Sequence, residues 1–391
     1  MKILFLIDPV SNTIDNSFQR EVVTRLANAQ NSSMQTLVLD TEVVGRSAAA
    51  EIMLRQDFDA YFTYNRTGTD INVPSGEGEE INLMRGIQRP HICWLTEHPL
   101  CWYENYLLSQ NVRHYILPRA SHTSFLSGMG LFGGISEQLF AADPYALQRS
   151  HRDRMYDICI AAQWRGPPAA NEFWLQADTS TRLFFENVLA TQTADPNKDT
   201  YIAYVSVAQS MGIDISDKRR HAQYMRGLYW HARKSERIGF VKDLVSSGLK
   251  IAIIGGEAWR SVLADSTGVT FFPECSHSEI IDVYADSRAV VNLNAANGAC
   301  ERAFDCASVG AMLITEYSPA MEQLFANNDA AIFYHPTYRQ ESNQLIVDLI
   351  KSGNSEIVGA NALRCLKDRH TWAHRTEFLR DNIFAKFAPK G

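Results

Sequence analysis

Short apolar runs recur along this chain and alternate with longer amphipathic stretches, and that rhythm restricts the fold more than any single motif. In the first half the runs are Ile3–Ile7, Thr36–Leu39, Ala60–Thr63, His91–Leu95 and His114–Leu117. Helical spacing falls between them, at Phe18 to Leu26 and at Glu79 to Ile87. Strands without polar alternation are buried on both faces, and with helices between them they form parallel sheets covered on either side. A polar, proline-bearing break runs from Ala142-Asp143-Pro144 to Asp153. A second series starts at Tyr156–Ala161, and a helix-rich stretch then runs from Asn171 to about Gly248. Strands resume at Lys250–Ile254, Val269–Phe272, Ala289–Leu293, Met312–Thr315 and Ala331–Tyr334. The pattern predicts two Rossmann-like, doubly wound α/β domains that face a cleft. Residues 1–150 form the first and 151–375 the second, and a C-terminal helix at 376–391 returns to the first.

The length, 391 residues, suits two domains, and 46% hydrophobic residues is ordinary for a globular chain. A net charge of −7 opposes broad adhesion to nucleic acid or to anionic membranes. The densest basic stretch, Lys218-Arg219-Arg220 through Arg233-Lys234, falls on a predicted helix. It is either a solvated or interdomain face or an anion contact. Seven cysteines without a CxxC pair read as reduced thiols of a cytoplasmic protein. The apolar start between Lys2 and Asp8 is too short for a signal peptide, and no apolar run is long enough to span a bilayer.

Ligands of such sheets bind beyond the carboxyl ends of the strands, so the loops there carry the candidate chemistry. The most informative segment is Ser276 to Phe325. Ser276-x-x-Glu279 is a capping box opening a helix, followed by the strand Ala289–Leu293 and the turn Asn294 to Ala299. In the next helix, Cys300–Val309, Glu301, Arg302 and Asp305 fall on one side, with Ala303, Phe304 and Ala307 on the other. A free helix start favours a diphosphate, Arg302 adds a cationic fork, and Asp305 can accept from ribose hydroxyls. The alternative is an internal ion-pair set on a surface helix. The turn glycines and amides, Asn297 and Gly298, lie beside that helix start. Gly255-Gly256 follows a strand and allows close backbone approach, to a ligand or within an ordinary turn. Trp164-Arg165-Gly166 also follows a strand, and Arg165 is a candidate for contact with a phosphate. Trp259 is either a base-stacking ring or a core residue. In the first half, Glu97-His98 stands just past a strand, where a His near neutral pH or a burial-shifted Glu can serve as a general base; a structural loop pair is the alternative.

Three patterns are decoys. Gly128-x-Gly130-x-x-Gly133 lacks a preceding strand, Asp57-x-Asp59 reads as a turn, and His370-x3-His374 has no third ligand nearby.

Ser278-Glu279, Tyr284 to Ser287, Val291 to Asn294, Glu301-Arg302-Ala303-Phe304-Asp305, Gly310-Ala311 and Thr315 together resemble the C-terminal domain of CgeB-like, family-1-like glycosyltransferases. The similarity continues through Met321–Phe325, Phe333-Tyr334 and Arg369-His370-Thr371-Trp372 with Arg375. Trp94 to Pro99 matches the family's first half loosely. The chain departs at Cys300, where the family has His, and at Asp305, where it has Glu. Asn297 stands where a complete E-x7-E pair needs an acid.

The resemblance implies GT-B architecture and a hexosyltransferase-like activity. The C-terminal domain would hold a nucleotide-diphosphate sugar as co-substrate, with no metal, and the N-terminal domain an acceptor hydroxyl. Glu97, His98 and Glu301 are the catalytic candidates. Arg165, Gly255, Gly256, Asn297, Gly298, Arg302 and Asp305 are the donor-binding ones. A nucleotide-sugar epimerase and a non-catalytic nucleotide-sugar-binding protein fit the same pattern. Sugar, base, acceptor and stereochemistry are not legible.

Overall fold

The computed structural model describes residues 1–8, 34–65, 71–74, 80–106, 112–138, 140–142, 144–149, 154–162, 173–195, 198–255, 257–263, 266–293, 300–325 and 329–388. The chain forms two compact units, Met1–Leu139 with Trp372–Gly391, and Phe140–Thr371. Each contains a six-stranded sheet whose pairings are all parallel.

The first unit contains β1 (Lys2–Ile7), β2 (Gln35–Asp40), β3 (Ala60–Tyr64), β6 (His91–Trp94), β7 (Val112–Leu117) and β8 (Gly134–Glu137), in the order β2-β1-β3-β6-β7-β8. A small antiparallel pair, β4 (Asn72–Pro74) and β5 (Glu80–Asn82), sits apart from that sheet. On one face Leu4, Leu6 and Tyr61 pack with Ala49, Ala50 and Met53 of the helix Arg46–Leu54. Phe5 and Phe62 meet Phe384 edge-on at 6.0 and 6.2 Å, and Trp94 meets Trp372 at 6.2 Å. The chain's last turns therefore supply part of this unit's aromatic core. The sequence pattern differs from the structure in two places. Glu79 to Ile87 reads as a helix, but it holds the short strand β5 and one helical turn, Leu83–Gly86, opened by the Asn82 side chain accepting from Met84 N–H at 3.0 Å. β8 has no apolar run, because it is an edge strand that exposes most of its side chains. The predicted helix Phe18 to Leu26 lies outside the described residues.

The second unit's sheet contains β9 (Tyr156–Ala161), β10 (Ile251–Ile254), β11 (Val269–Phe272), β12 (Ser287–Asn292), β13 (Met312–Glu316) and β14 (Ala331–Tyr334), in the order β11-β10-β9-β12-β13-β14. One face packs Ile158, Ile253, Val291 and Ile314 against Phe240, Val241 and Leu244 of the helix Lys218–Val245 and against Ile346 and Ile350 of the helix Arg339–Lys351. At the amino edge of the sheet, the buried Arg154 donates to the carbonyls of Ser287 and Gly310, the latter at 2.8 Å. A Cβ at Gly359 would stand 2.1 Å from the Gly310 carbonyl oxygen, so only glycine lets the helix Ser355–Arg369 pack this closely there. Three helices, Thr179–Ala194, Thr200–Met211 and Lys218–Val245, fill the connection from β9 to β10. No helix among the described residues is long and apolar enough to cross a membrane.

Candidate functional site

In the second unit the strand order reverses between β9 and β12, and the crevice beyond their carboxyl ends is where doubly wound sheets bind ligands. Two arginines converge there. Arg302 is the second residue of the helix Glu301–Ser308, which starts after β12. Arg237, on the helix Lys218–Val245, is buried and forks its Nε and one terminal nitrogen onto the Leu293 carbonyl at 3.1 and 3.0 Å. Burial depresses the Arg237 guanidinium well below its ordinary value. The neighbouring charges of Arg233 and Arg302 add to this, and Glu316 opposes it. Burial also works against the charge on Arg302, but Tyr284, Cys300 and Glu301 outweigh it and raise that group. Two guanidinium groups thus stand at the switch point, with Glu301 and Glu316 the acidic groups that act on them.

The helix start beside it has no side-chain cap, because Cys300 turns its thiol onto the Asn292 side-chain oxygen at 3.0 Å. Asn292 in turn donates to Thr315 Oγ1 at 3.1 Å, which ties the ends of β12 and β13 together. The first amides of Glu301–Ser308 add the positive end of the helix to the arginine charge. Glu301 and Arg302 are partly exposed, whereas Asp305 is buried with its carboxylate 3.8 Å from His277 Nε2. His277 opens the helix His277–Ala285, whose start carries the complete Ser276–Glu279 capping box.

At Gly255 the backbone, at φ +149, lies close to its own chain. A Cβ would come within 2.0 Å of the Ala162 carbonyl oxygen, so only glycine fits. The same carbonyl accepts the Trp259 indole N–H at 2.7 Å, and Trp259 is fully buried. That ring is a core residue that locks the ends of β9 and β10. Arg165, Gly256, Asn297 and Gly298 lie outside the described residues.

In the first unit, Asn65 at the end of β3 holds the loop after β6. Its amide donates to Thr96 Oγ1 at 2.7 Å, and its carbonyl oxygen accepts from Thr96 N–H at 2.8 Å. Glu97 follows, partly exposed. His98 is fully buried, and its Nδ1 accepts from Leu100 N–H at 3.1 Å, capping the 3-10 turn Pro99–Trp102. Its ring lies 4.3 Å from that of His122 and 5.3 Å from that of Phe125. The two residues thus differ: Glu97 reaches solvent, and His98 caps and packs.

The sequence reading missed Arg237, although it carried a signal. Arg237 shares a helix face with the apolar Phe240, Val241 and Leu244, so its charge had to be satisfied inside the protein. Tyr284 carried one only as part of the family resemblance, and His277 and Glu316 carried none. Of the decoys, Gly128 ends the helix His122–Gly128. Asp57 pairs with Lys2 Nζ at 2.6 Å, and Asp59 accepts from Lys2 N–H at 2.7 Å.

Residues 233–381 match the family model described as glycosyl transferase-like. No curated protein matches the chain in sequence. Among solved structures, sucrose-phosphate synthase from Thermosynechococcus elongatus aligns with a TM-score of 0.57 at 10% identity, over 98% of this chain and 99% of that one. HepE of Anabaena, in complex with UDP-glucose, aligns with a TM-score of 0.54 at 9% identity, over 98% and 100%. The trehalose-6-phosphate protein from E. coli, bound with UDP-2-fluoro glucose, gives 0.53 at 7% identity, over 100% of both chains. At such identities the likeness is one of fold. With its two parallel sheets the chain has the two-domain fold of these GT-B structures, and the stretch that matches the glycosyl transferase-like family lies in its C-terminal half.

Proposed function

We propose that the chain transfers a sugar from a uridine-diphosphate donor to an acceptor hydroxyl in the cytoplasm, with the diphosphate held at the carboxyl end of β12. The observation that carries this is the meeting of Arg237, Arg302 and the uncapped start of Glu301–Ser308 at the switch point. Fixed cations and backbone amides stabilise the charge that grows on a departing diphosphate, and they do so without a metal. The uridine donor class is supported by the ligands of HepE and the trehalose-6-phosphate protein. Five buried thiols among the seven cysteines suit a reducing compartment. Arg302 would grip phosphate. Asp305, oriented by His277, would accept from the ribose. Glu301 would border the sugar, and Arg165, Asn297 and Gly298 are the remaining donor-binding candidates; Gly255 is accounted for by its approach to the Ala162 carbonyl. Glu97 is the better placed acceptor base of its pair, because His98 is buried with one ring nitrogen engaged.

Titration calorimetry with UDP tests the donor site. Arg302→Ala and Asp305→Ala should each weaken binding about tenfold or more, in line with the loss of a hydrogen bond to a charged group, at an unchanged melting temperature. Unchanged affinity in both variants would overturn the assignment. Donor turnover should also survive EDTA; complete loss, restored by manganese or magnesium, would refute the metal-free mechanism.

A further inference from the structure

The helix Lys218–Val245 is longer than the sheet it packs on. Phe240, Val241 and Leu244 lie in the core, and Arg237 reaches the carbonyl just past the carboxyl end of β12. The helix runs antiparallel to the strands, so the turns from Lys218 to Glu236, roughly 28 Å at 1.5 Å per residue, extend beyond that edge. They are held there by the helices Thr179–Ala194 and Thr200–Met211, through Phe185 against Tyr224 at 5.6 Å and Tyr204 against His221 at 5.7 Å.

Along this extension Arg219, Arg226, Arg233 and Arg237 fall within one narrow stripe at 100° per residue. No acidic residue occurs from Lys218 to Ser235, in a protein whose net charge is −7. Exposure falls steadily along the stripe. Arg219 is exposed, Arg226 and Arg233 are partly buried, and Arg237 is buried at the donor site. Arg233 is braced by aromatic rings, its guanidinium 5.0 Å from the Tyr229 ring and 4.9 Å from the Trp230 ring, with Nη1 donating to the Tyr229 hydroxyl at 2.6 Å. Bracing of this kind pre-organises a cation for an incoming anion. Arg219, Arg226 and Arg233 recur every seven residues, about 10.5 Å along the axis. That is close to the length of a disaccharide, and longer than the phosphate spacing of a single nucleic-acid strand, whose bases call for a run of stacking rings.

We propose that this arginine stripe is an acceptor track for an acidic glycan with one anionic group per disaccharide. The track would lead the chain's growing end to the sugar held at β12. The inference rests on the donor site proposed above. Uronate and phosphate are the two sources of such a charge.

The test measures binding of three probes of equal length to the full chain: a hyaluronan octasaccharide, a phosphodiester-linked oligosaccharide and an uncharged chito-oligosaccharide. Oligodeoxythymidylate serves as a fourth. The acidic sugars should bind more tightly than the neutral one and than the nucleic acid, and the better of the two acidic sugars identifies the source of charge. The double variant Arg219→Gln/Arg226→Gln should lose about tenfold in that affinity and flatten its salt dependence, and Arg219→Lys/Arg226→Lys should keep most of both. UDP affinity should be unchanged in both double variants, which separates this inference from the donor site. Unaltered glycan affinity in the Gln pair, preference for oligodeoxythymidylate, or equal binding of charged and uncharged sugars would overturn the proposal. Loss of UDP affinity in the Gln pair would also overturn it, because the stripe would then belong to the donor.

Discussion

A cation on the apolar face of a helix has to be satisfied where it stands, and Arg237 shows how: its fork closes on the Leu293 carbonyl at the point where β12 ends. Residue-scale chemistry of this kind is partly legible in sequence. Helical spacing alone puts Arg237 beside Phe240 and Leu244, but only the fold supplies the carbonyl. Asp305 is the reverse case. Spacing groups it with Glu301 and Arg302 on a polar side, yet the structure buries it against His277, a residue on another helix that no spacing rule connects to it. Glu97 and His98 were indistinguishable in sequence, and burial now separates them. Glu97→Gln should lower donor turnover by about 10²–10⁴-fold, the usual contribution of a general base, with little change in melting. His98→Ala should chiefly lower the melting temperature, because it removes a cap and leaves a cavity beside His122 and Phe125. Turnover per folded molecule, measured beside a melting curve for each variant, checks both. A normal rate in Glu97→Gln would remove it from the chemistry.

Elements were read more securely than residues. The strands Tyr156–Ala161, Val269–Phe272 and Ala331–Tyr334 have the bounds their apolar runs predict. These strands are short and lie in parallel sheets covered by helices, so the hydrophobic run is close to the strand itself. The elements that escaped are those whose residues make no apolar run. β8 is an edge strand, and the hairpin of β4 and β5 pairs outside the main sheet. The helix His277–Ala285 was legible from its start, because a capping box is a local device: Ser276 N–H donates to Glu279 at 2.8 Å, and Glu279 N–H donates back to Ser276 Oγ at 3.4 Å. Ser276→Ala should destabilise the protein by about 1 kcal/mol. It should also weaken UDP binding slightly, because His277, which faces Asp305, is the first residue of that helix. Thermal melting and calorimetry on the one variant test both effects, and unchanged stability would mean that the reciprocal bonds add nothing beyond what water supplies.

At the scale of the whole molecule, the chain closes its first unit with its own last turns, and that unit should be the acid-sensitive one. Its sheet buries two imidazoles. His91 is stacked on Tyr61 at 4.4 Å, with Nε2 2.7 Å from Thr63 Oγ1, and burial pushes its pKa down to about 3. His114, with Nε2 2.9 Å from Ser136 Oγ, is pushed down to about 4, first by burial and then by the positive charge of Lys386. Both groups lie below the ordinary value of about 6.5 that they recover on unfolding. Between those limits the unfolded chain binds protons that the folded chain refuses, so stability is fully present above pH ~6.5 and falls as the pH drops. Each histidine contributes a slope of up to about 1.4 kcal/mol per pH unit. The loss levels off only below pH ~4 for His114 and pH ~3 for His91. The second unit has no histidine with a comparable depression among its described residues, so calorimetric scans from pH 7 to pH 4 should resolve two transitions, the first moving down faster. Both pH limits and the slope are set by side chains, so substitution should change them. His114→Gln keeps a polar partner for Ser136 but cannot titrate. It should roughly halve the pH dependence of the first transition while leaving the second in place. If both transitions shift in parallel in the wild type, or if the Gln variant retains the full slope, the buried imidazoles do not govern the acid response.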